Sequence, residues 1–178
     1  MQLKSNSILP EVIEVTPDKF EDERGYFFRV YNEDEILEEY IGMIVNINRS
    51  YNINKGTVRG LHFQHQPYGE TKMVTCVRGA IYDVAMDVRK DSETFGKYVG
   101  VTLSEKNGKS LIVPKGFAHG FMTLMDDTEV IYFTDEYWRP VHEDVVSERE
   151  IKWPLNSTVI SKKDRNSPLL HSGSFIPY

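Results

Sequence analysis

The fold turns on one stretch: Lys72-Met-Val-Thr-Cys-Val77, then Arg78-Gly79, then Ala80-Ile-Tyr-Asp-Val-Ala-Met-Asp-Val88. Two runs rich in β-branched and apolar residues flank a short break carrying glycine, the pattern of two strands joined by a tight turn. Side chains alternate along a strand, so Ala80, Tyr82, Val84, Met86 and Val88 share one face, expected to be the core face. Ile81, Asp83, Ala85 and Asp87 share the other. Their mix of acids and small apolar residues suits a strand facing a polar cavity or solvent.

The same texture continues outward in both directions. Further candidate strands cover residues 12–15, 26–31, 44–51, 57–64, 98–103, 110–113, 121–124 and 129–137, and the breaks hold Lys90-Asp91-Ser92, Lys106-Asn107-Gly108 and Asp126-Asp127. Most gaps are too short for the helical crossovers that a parallel sheet requires. The expectation is therefore a mainly all-β chain, a sandwich or barrel with a few short helices. In 129–137, Val130, Tyr132 and Thr134 share a face. One helix is expected over 35–40, capped by Asn32 or Asp34, with Ile36, Leu37 and Tyr40 as its apolar stripe and Gly42 as its stop. From Glu143 onward the chain is more polar and carries Trp153-Pro154 and Ser167-Pro168; short helices and an extended wrap are both open there.

With 178 residues the chain is the size of one domain and long enough to bury a core without disulfides. The single cysteine, Cys76, cannot form an internal disulfide or a cysteine-only metal cluster. No run approaches the ~18 apolar residues of a membrane helix, and Met-Gln-Leu-Lys-Ser-Asn-Ser has no apolar signal core, so a cytoplasmic protein without membrane association is expected. Acidic residues outnumber basic ones 27 to 21, for a formal charge of -6. That balance argues against nucleic-acid binding, which rests on neutralising phosphates. A small anion needs only a few cations gathered in one cleft.

Histidines draw the chemistry. Val58-Arg-Gly-Leu-His-Phe-Gln64 sets Arg59 and His62 in one strand near Lys72, two cations that disfavour a charged imidazole. Arg59 and His62 differ in parity, so a regular strand would part them; a bulge at Gly60 would turn both to one cavity. In Val113-Pro-Lys-Gly-Phe-Ala-His119-Gly, Pro and Gly are expected to form a rigid turn that holds His119 at a strand end. A metal site of His62, Glu70 and His119 is the rival. Gln64 stands where a second ligand of a His-x-His pair belongs, and Arg59 and Lys72 would oppose a divalent ion.

Several stretches occur together in order: Asp22-Glu-Arg-Gly-Tyr-Phe-Phe28, Arg59-Gly-Leu-His-Phe-Gln64, Lys72-Met-Val, Asp83-Val-Ala-Met-Asp-Val-Arg-Lys90, Phe95-Gly96, Pro114-Lys-Gly-Phe-Ala-His-Gly-Phe121 and Trp153-Pro154. In this the chain resembles, over nearly its whole length, the dTDP-4-dehydrorhamnose 3,5-epimerases. These are cupin-type jelly-roll enzymes that act without metal or cofactor on a nucleotide-linked 4-keto sugar. The resemblance implies His62 as the base, Asp164 in Ser161-Lys-Lys-Asp164 as the carboxylate that orients it, Tyr132 as the opposing acid and Lys72 as the group that stabilises the enolate. It implies further that Arg59 and His119 hold the pyrophosphate and sugar region, that Glu143 and Asn48 touch the substrate, and that Trp138 stacks on the nucleotide. Arg24 and Phe27 lie on a segment that the family exchanges between subunits, so a homodimer with composite sites is implied, and Arg29 falls at a substrate-binding position close to the nucleotide.

Three departures from the family pattern bear on this site. Arg29 stands where a glutamate is common, Asn46 where a glutamine is usual, and the stretch before Trp153, leading to Asp164, is shorter. An enzyme inverting one centre, a metal-dependent cupin and a non-catalytic sugar-nucleotide module are the competing readings. Deuterium incorporation and metal content tell them apart.

Overall fold

The computed structural model describes residues 1–36 and 40–178. The strands are β1 (Gln2–Ser5), β2 (Ile13–Thr16), β3 (Phe20–Asp22), β4 (Gly25–Phe27), β5 (Asn46–Asn52), β6 (Thr57–Gln64), β7 (Lys72–Arg78), β8 (Ala80–Asp87), β9 (Tyr98–Ser104), β10 (Ser110–Val113), β11 (Phe117–Thr123), β12 (Thr128–Thr134), β13 (Glu143–Val145) and β14 (Val159–Ile160). A 3-10 turn spans Glu148–Glu150 and one short helix, α1, spans Lys162–Arg165. One sheet runs β1-β2-β10-β7-β12-β5 and the other β13-β6-β11-β8-β9, with β14 alongside β6 and a separate hairpin β3-β4. From β5 to β8, and again from β9 to β12, the chain passes from sheet to sheet, as a jelly roll does. The two runs on either side of Arg78-Gly79 accordingly lie in opposite sheets. Gly79 sits at φ +76°, a conformation that costs glycine little.

Period-2 alternation sorts the side chains into three layers. Val74 and Cys76 of β7, Leu111 and Val113 of β10, and Val130 of β12 meet Ile81 and Ala85 of β8, Leu103 of β9, and Phe117 and Phe121 of β11 between the sheets. Outside the first sheet, Ile13, Val15, Met73 and Ile112 pack on Ile36 and Ile41. Outside the second, Leu61, Phe63, Val84 and Met86 are covered by Val146, Ile151, Leu170 and Phe175 of the tail. Burying each such side chain stabilises by roughly 1.5–3 kcal/mol, so the tail is an integral layer.

These layers correct the sequence-based faces of β8. The set Val84 and Met86 is core, but an outer core; Ile81 and Ala85 make the inter-sheet core, and Asp83 and Asp87 are both fully buried. Asp87 accepts hydrogen bonds from Arg89, Ser92 and Thr94 at the strand end. The turn expected around His119 is also shorter in the structure. The chain bends over Pro114–Gly116, with Gly116 at φ +84°, and His119 lies within β11. Around the helix expected over 35–40, the N–H groups of Glu35 and Ile36 bond the Asn32 carbonyl in a turn; Leu37, Glu38 and Glu39 lie outside the described residues. The tail is both extended and helical: β14 pairs parallel to β6, and α1 follows it. No helix among the described residues is long and apolar enough to cross a membrane.

Candidate active site

The inter-sheet space is filled by apolar side chains on the side of β8, β9 and β10. On the other side it opens into a cavity of about 720 Å³, within the usual size of a small-molecule site. Asn46, Asn48 and Ser50 of β5 and Tyr132 and Thr134 of β12 line one wall; Arg59 and His62 of β6 and His119 and Phe121 of β11 line the other. Glu70, Lys72, Trp138, Glu143, Lys163 and Asp164 also line it, with parts of β6 and β14 and Ser161.

Gly60 makes the β6 wall possible. Opposite β11, His119 pairs with His62 but Phe121 pairs with Arg59, so β6 carries one extra residue across this interval. That is the expected bulge, and it brings Arg59 and His62 to the same cavity. Gly60 adopts φ +116°, and a Cβ there would stand 2.6 Å from Gly120 Cα and from the His119 carbonyl oxygen. Only glycine fits. Arg59 is then steadied by Asn52, whose Oδ1 accepts from Nε at 2.7 Å, leaving the terminal nitrogens for an anion.

Asp164 comes to His62 through the tail. The parallel pairing of Ile160 with Val58 fixes where α1 begins, and the Ser161 hydroxyl accepts from the Asp164 N–H at 3.0 Å as its cap. The shorter stretch before Trp153 does not displace this turn. Asp164, 3% exposed, sits with Oδ1 2.9 Å from His62 Nε2 and with Oδ2 accepting the Gly60 N–H at 3.3 Å. Burial works against its charge, but the hydrogen bonds from His62 and Gly60, together with Ser161, hold the carboxyl below the usual carboxylate range. An ionised Asp164 accepts Nε2–H, which leaves Nδ1 as the ring nitrogen with a free lone pair.

Lys72 forms an ion pair with Glu70 at 2.9 Å, both side chains nearly buried. The Tyr132 hydroxyl makes no hydrogen bond within the chain among the described residues, and its ring packs partly on the inter-sheet core. Glu143 pairs with Lys163 at the rim, beside the exposed Trp138. His119 Nε2 meets Asp83 Oδ1 at 2.8 Å. Among the described residues no three metal-ligating side chains converge: His62 and His119 each face their own carboxylate, and Glu70 is taken by Lys72.

His62, Tyr132, Asp164, Lys72, Asn48, Arg59, His119, Trp138 and Glu143 thus meet at one cavity. Arg24, Phe27 and Arg29 do not line it. Arg24 and Phe27 are exposed on the β3-β4 hairpin, where Arg24 pairs with Asp22, and Arg29 is exposed beyond it. Ser50, Lys163 and Asp83 escaped the sequence-based choice of site residues. The alternation of β5 had the signal for Ser50, since Asn48 and Ser50 share a face; for Asp83 it was the parity with Ile81 and Ala85.

A double-sheet cupin fold whose cavity holds an imidazole on a carboxylate, facing a tyrosine and a lysine, has the make-up of a sugar-nucleotide isomerase. The chain belongs to the dTDP-4-dehydrorhamnose 3,5-epimerase family, whose model matches residues 6–172. The dTDP-4-dehydrorhamnose 3,5-epimerase of Shigella flexneri is 42% identical over 165 residues, 89% of this chain and 90% of that one. The crystal structure of the enzyme of that name from Sulfolobus tokodaii superposes with a TM-score of 0.88 at 40% identity, covering 96% of both chains. The dTDP-6-deoxy-D-glucose-3,5-epimerase of Legionella pneumophila, solved with dTDP-4-keto-L-rhamnose, gives a TM-score of 0.87 at 34% identity over 95% of this chain and 92% of that one.

Proposed function

We propose that the chain inverts C3 and C5 of a dTDP-linked 4-keto-6-deoxyhexose, converting dTDP-4-dehydro-6-deoxy-D-glucose to dTDP-4-dehydro-L-rhamnose. The observation that carries this is the His62–Asp164 pair in one cavity with Tyr132 and Lys72. The C4 ketone acidifies the hydrogens on C3 and C5. His62 Nδ1 takes one of them, and Asp164 steadies the imidazolium so formed. The electron pair moves into an enolate whose oxygen meets the Lys72 ammonium. Tyr132 returns a proton from its phenol to the opposite face and inverts the carbon. Solvent then resets both groups.

Arg59 holds the pyrophosphate, His119 the sugar end, and Asn48 and Glu143 the sugar-nucleotide hydroxyls, with Trp138 stacked on the base. The working unit is a homodimer of single cupin-like domains. Phe20 and Phe27, 66% and 64% exposed on the β3-β4 hairpin, support it, as do Ile47 and Tyr51, exposed on the edge strand β5. In that dimer Arg24 and Phe27 reach the partner's cavity, and Arg29, in place of a carboxylate, adds a cation beside the nucleotide. The enzyme works in the cytoplasm, without cofactor, in polysaccharide biosynthesis.

Incubating purified protein with dTDP-4-dehydro-6-deoxy-D-glucose in deuterated water tests the reading. Deuterium at C3 and C5, unaffected by prior chelation of metals, is expected. Label at one carbon only would make it a single-centre epimerase, and none at all would end the proposal.

A further inference from the structure

The second histidine of the cavity has a partner of its own, and the surroundings of that partner decide what the histidine does. Asp83 lies on β8, fully buried, facing Val101 of β9 and Phe121 of β11. Its Oδ1 meets His119 Nε2 at 2.8 Å, while Oδ2 has no partner among the described residues. A buried, half-satisfied carboxylate is costly and calls for an explanation.

Counting protons supplies one. The inner hydrogen bond between Asp83 and Nε2 holds one proton. If that is all, the pair carries a buried negative charge and Nδ1 is bare. If a second is present, the pair is neutral and Nδ1 bears it, whichever partner holds the inner proton. Burial favours the neutral pair. It pushes the Asp83 carboxyl above the usual range, outweighing the opposing pull of His119 and Lys72.

The charged and titratable groups facing the pair come from β6, β7, β8 and β12, while β9 presents Val101; the Cys76 thiol of β7 also interacts with Asp83. His62 lies opposite His119 on β6, with Arg59 beyond the bulge. Lys72 faces from β7, its charge largely met by Glu70. Tyr132 faces from β12, and Asp87, further along β8, is tied to Arg89.

We propose that Asp83 is a positioning residue: it holds the His119 imidazole with Nδ1–H turned to the cavity, as a hydrogen-bond donor to the oxyanion that develops on the substrate's carbonyl. His119 then works beside Lys72 on the same charge. The identity of that oxyanion rests on the epimerase reading; the proton on Nδ1 does not.

Ring-15N histidine spectra of the wild-type protein test the proton directly, with His119 assigned by the signal lost in His119→Gln. Nδ1 of His119 is expected to be protonated at neutral pH and Nδ1 of His62 bare. The second arm is Asp83→Val, an apolar replacement of similar size that suits a strand. It should lower kcat about tenfold to a hundredfold, part of the 10²–10³ of a full oxyanion donor, with KM within about threefold. It should move the alkaline limb of kcat to lower pH, as Asp83 no longer helps to hold the proton. Stability at neutral pH should be retained or raised. A bare His119 Nδ1 in the wild type overturns the proposal, as does a variant with unchanged kcat and limb, or one that loses stability with an unmoved limb. A wild type inactive on the sugar nucleotide would sink the epimerase reading and leave the spectra to decide this one.

Discussion

His62 with Asp164 and His119 with Asp83 are built from the same two side chains at nearly the same separation, 2.9 and 2.8 Å, on neighbouring strands of one cavity wall. Their carboxylates differ in what surrounds them. Asp164 sits at the start of a short helix in the tail, where Gly60 N–H supports its second oxygen. Asp83 sits in the inter-sheet layer with its second oxygen unsupported. Hence one carboxyl is held below the ordinary range and the other above it. The first pair presents a bare nitrogen, suited to take a proton; the second presents N–H, suited to meet the negative charge that results. Burial alone does not set the role of a His–Asp pair. The number of donors reaching the carboxylate does.

The largest break in this contrast comes from removing the base. His62→Ala should abolish deuterium exchange at both C3 and C5, while substrate still protects the protein against thermal unfolding. Asp164→Asn should reduce turnover by about 10³–10⁴, because the imidazole loses the partner that fixes its tautomer and supports its charge; rates and KM measured together check it. Smaller effects concern stability against pH. Asp164 ionises at lower pH folded than unfolded, so its stabilisation is present above pH ~4 and lost as pH falls through the folded value. Asp83 is the reverse: folded, it keeps a proton that the unfolded chain gives up near pH ~4, so its cost grows as pH rises from there. In urea titrations from pH 3 to 8, Asp164→Asn should lose ground to the wild type as pH rises, and Asp83→Val should gain it. Parallel curves would refute the contrast. The smallest effect is on Cys76, whose thiol burial pushes up to about 12; it should stay unreactive to thiol reagents until the protein unfolds.

Alternation in the sequence was enough to find β6, β7, β8 and β10 nearly to the residue, since each has an apolar face repeating every second position. It could not show that Val84 and Met86 need a cover of their own. That cover comes from Ile151, Leu170 and Phe175, far along a polar tail whose apolar residues have no regular period. Pro114, Gly116 and Gly120 around His119 read as a turn holding it at a strand end, although Gly120 serves the close approach of β11 to Gly60. The family resemblance brought His62, Tyr132, Lys72 and Asp164 forward together. How Asp164 reaches His62, through β14 docking beside β6, and the place of Asp83 opposite Phe121 are products of the tertiary fold.

The central claim is a division of labour across the sugar ring, His62 removing the proton and Tyr132 returning one from the other side. Tyr132→Phe, followed by carbon-resolved NMR in deuterated water, tests it most directly. The account requires deuterium to enter at the carbons with the original configuration kept, because the half-buried His62 still exchanges its proton with solvent, and inversion to fall by about 10²–10⁴. Inversion at the wild-type rate, or exchange lost as fully as in His62→Ala, would contradict it.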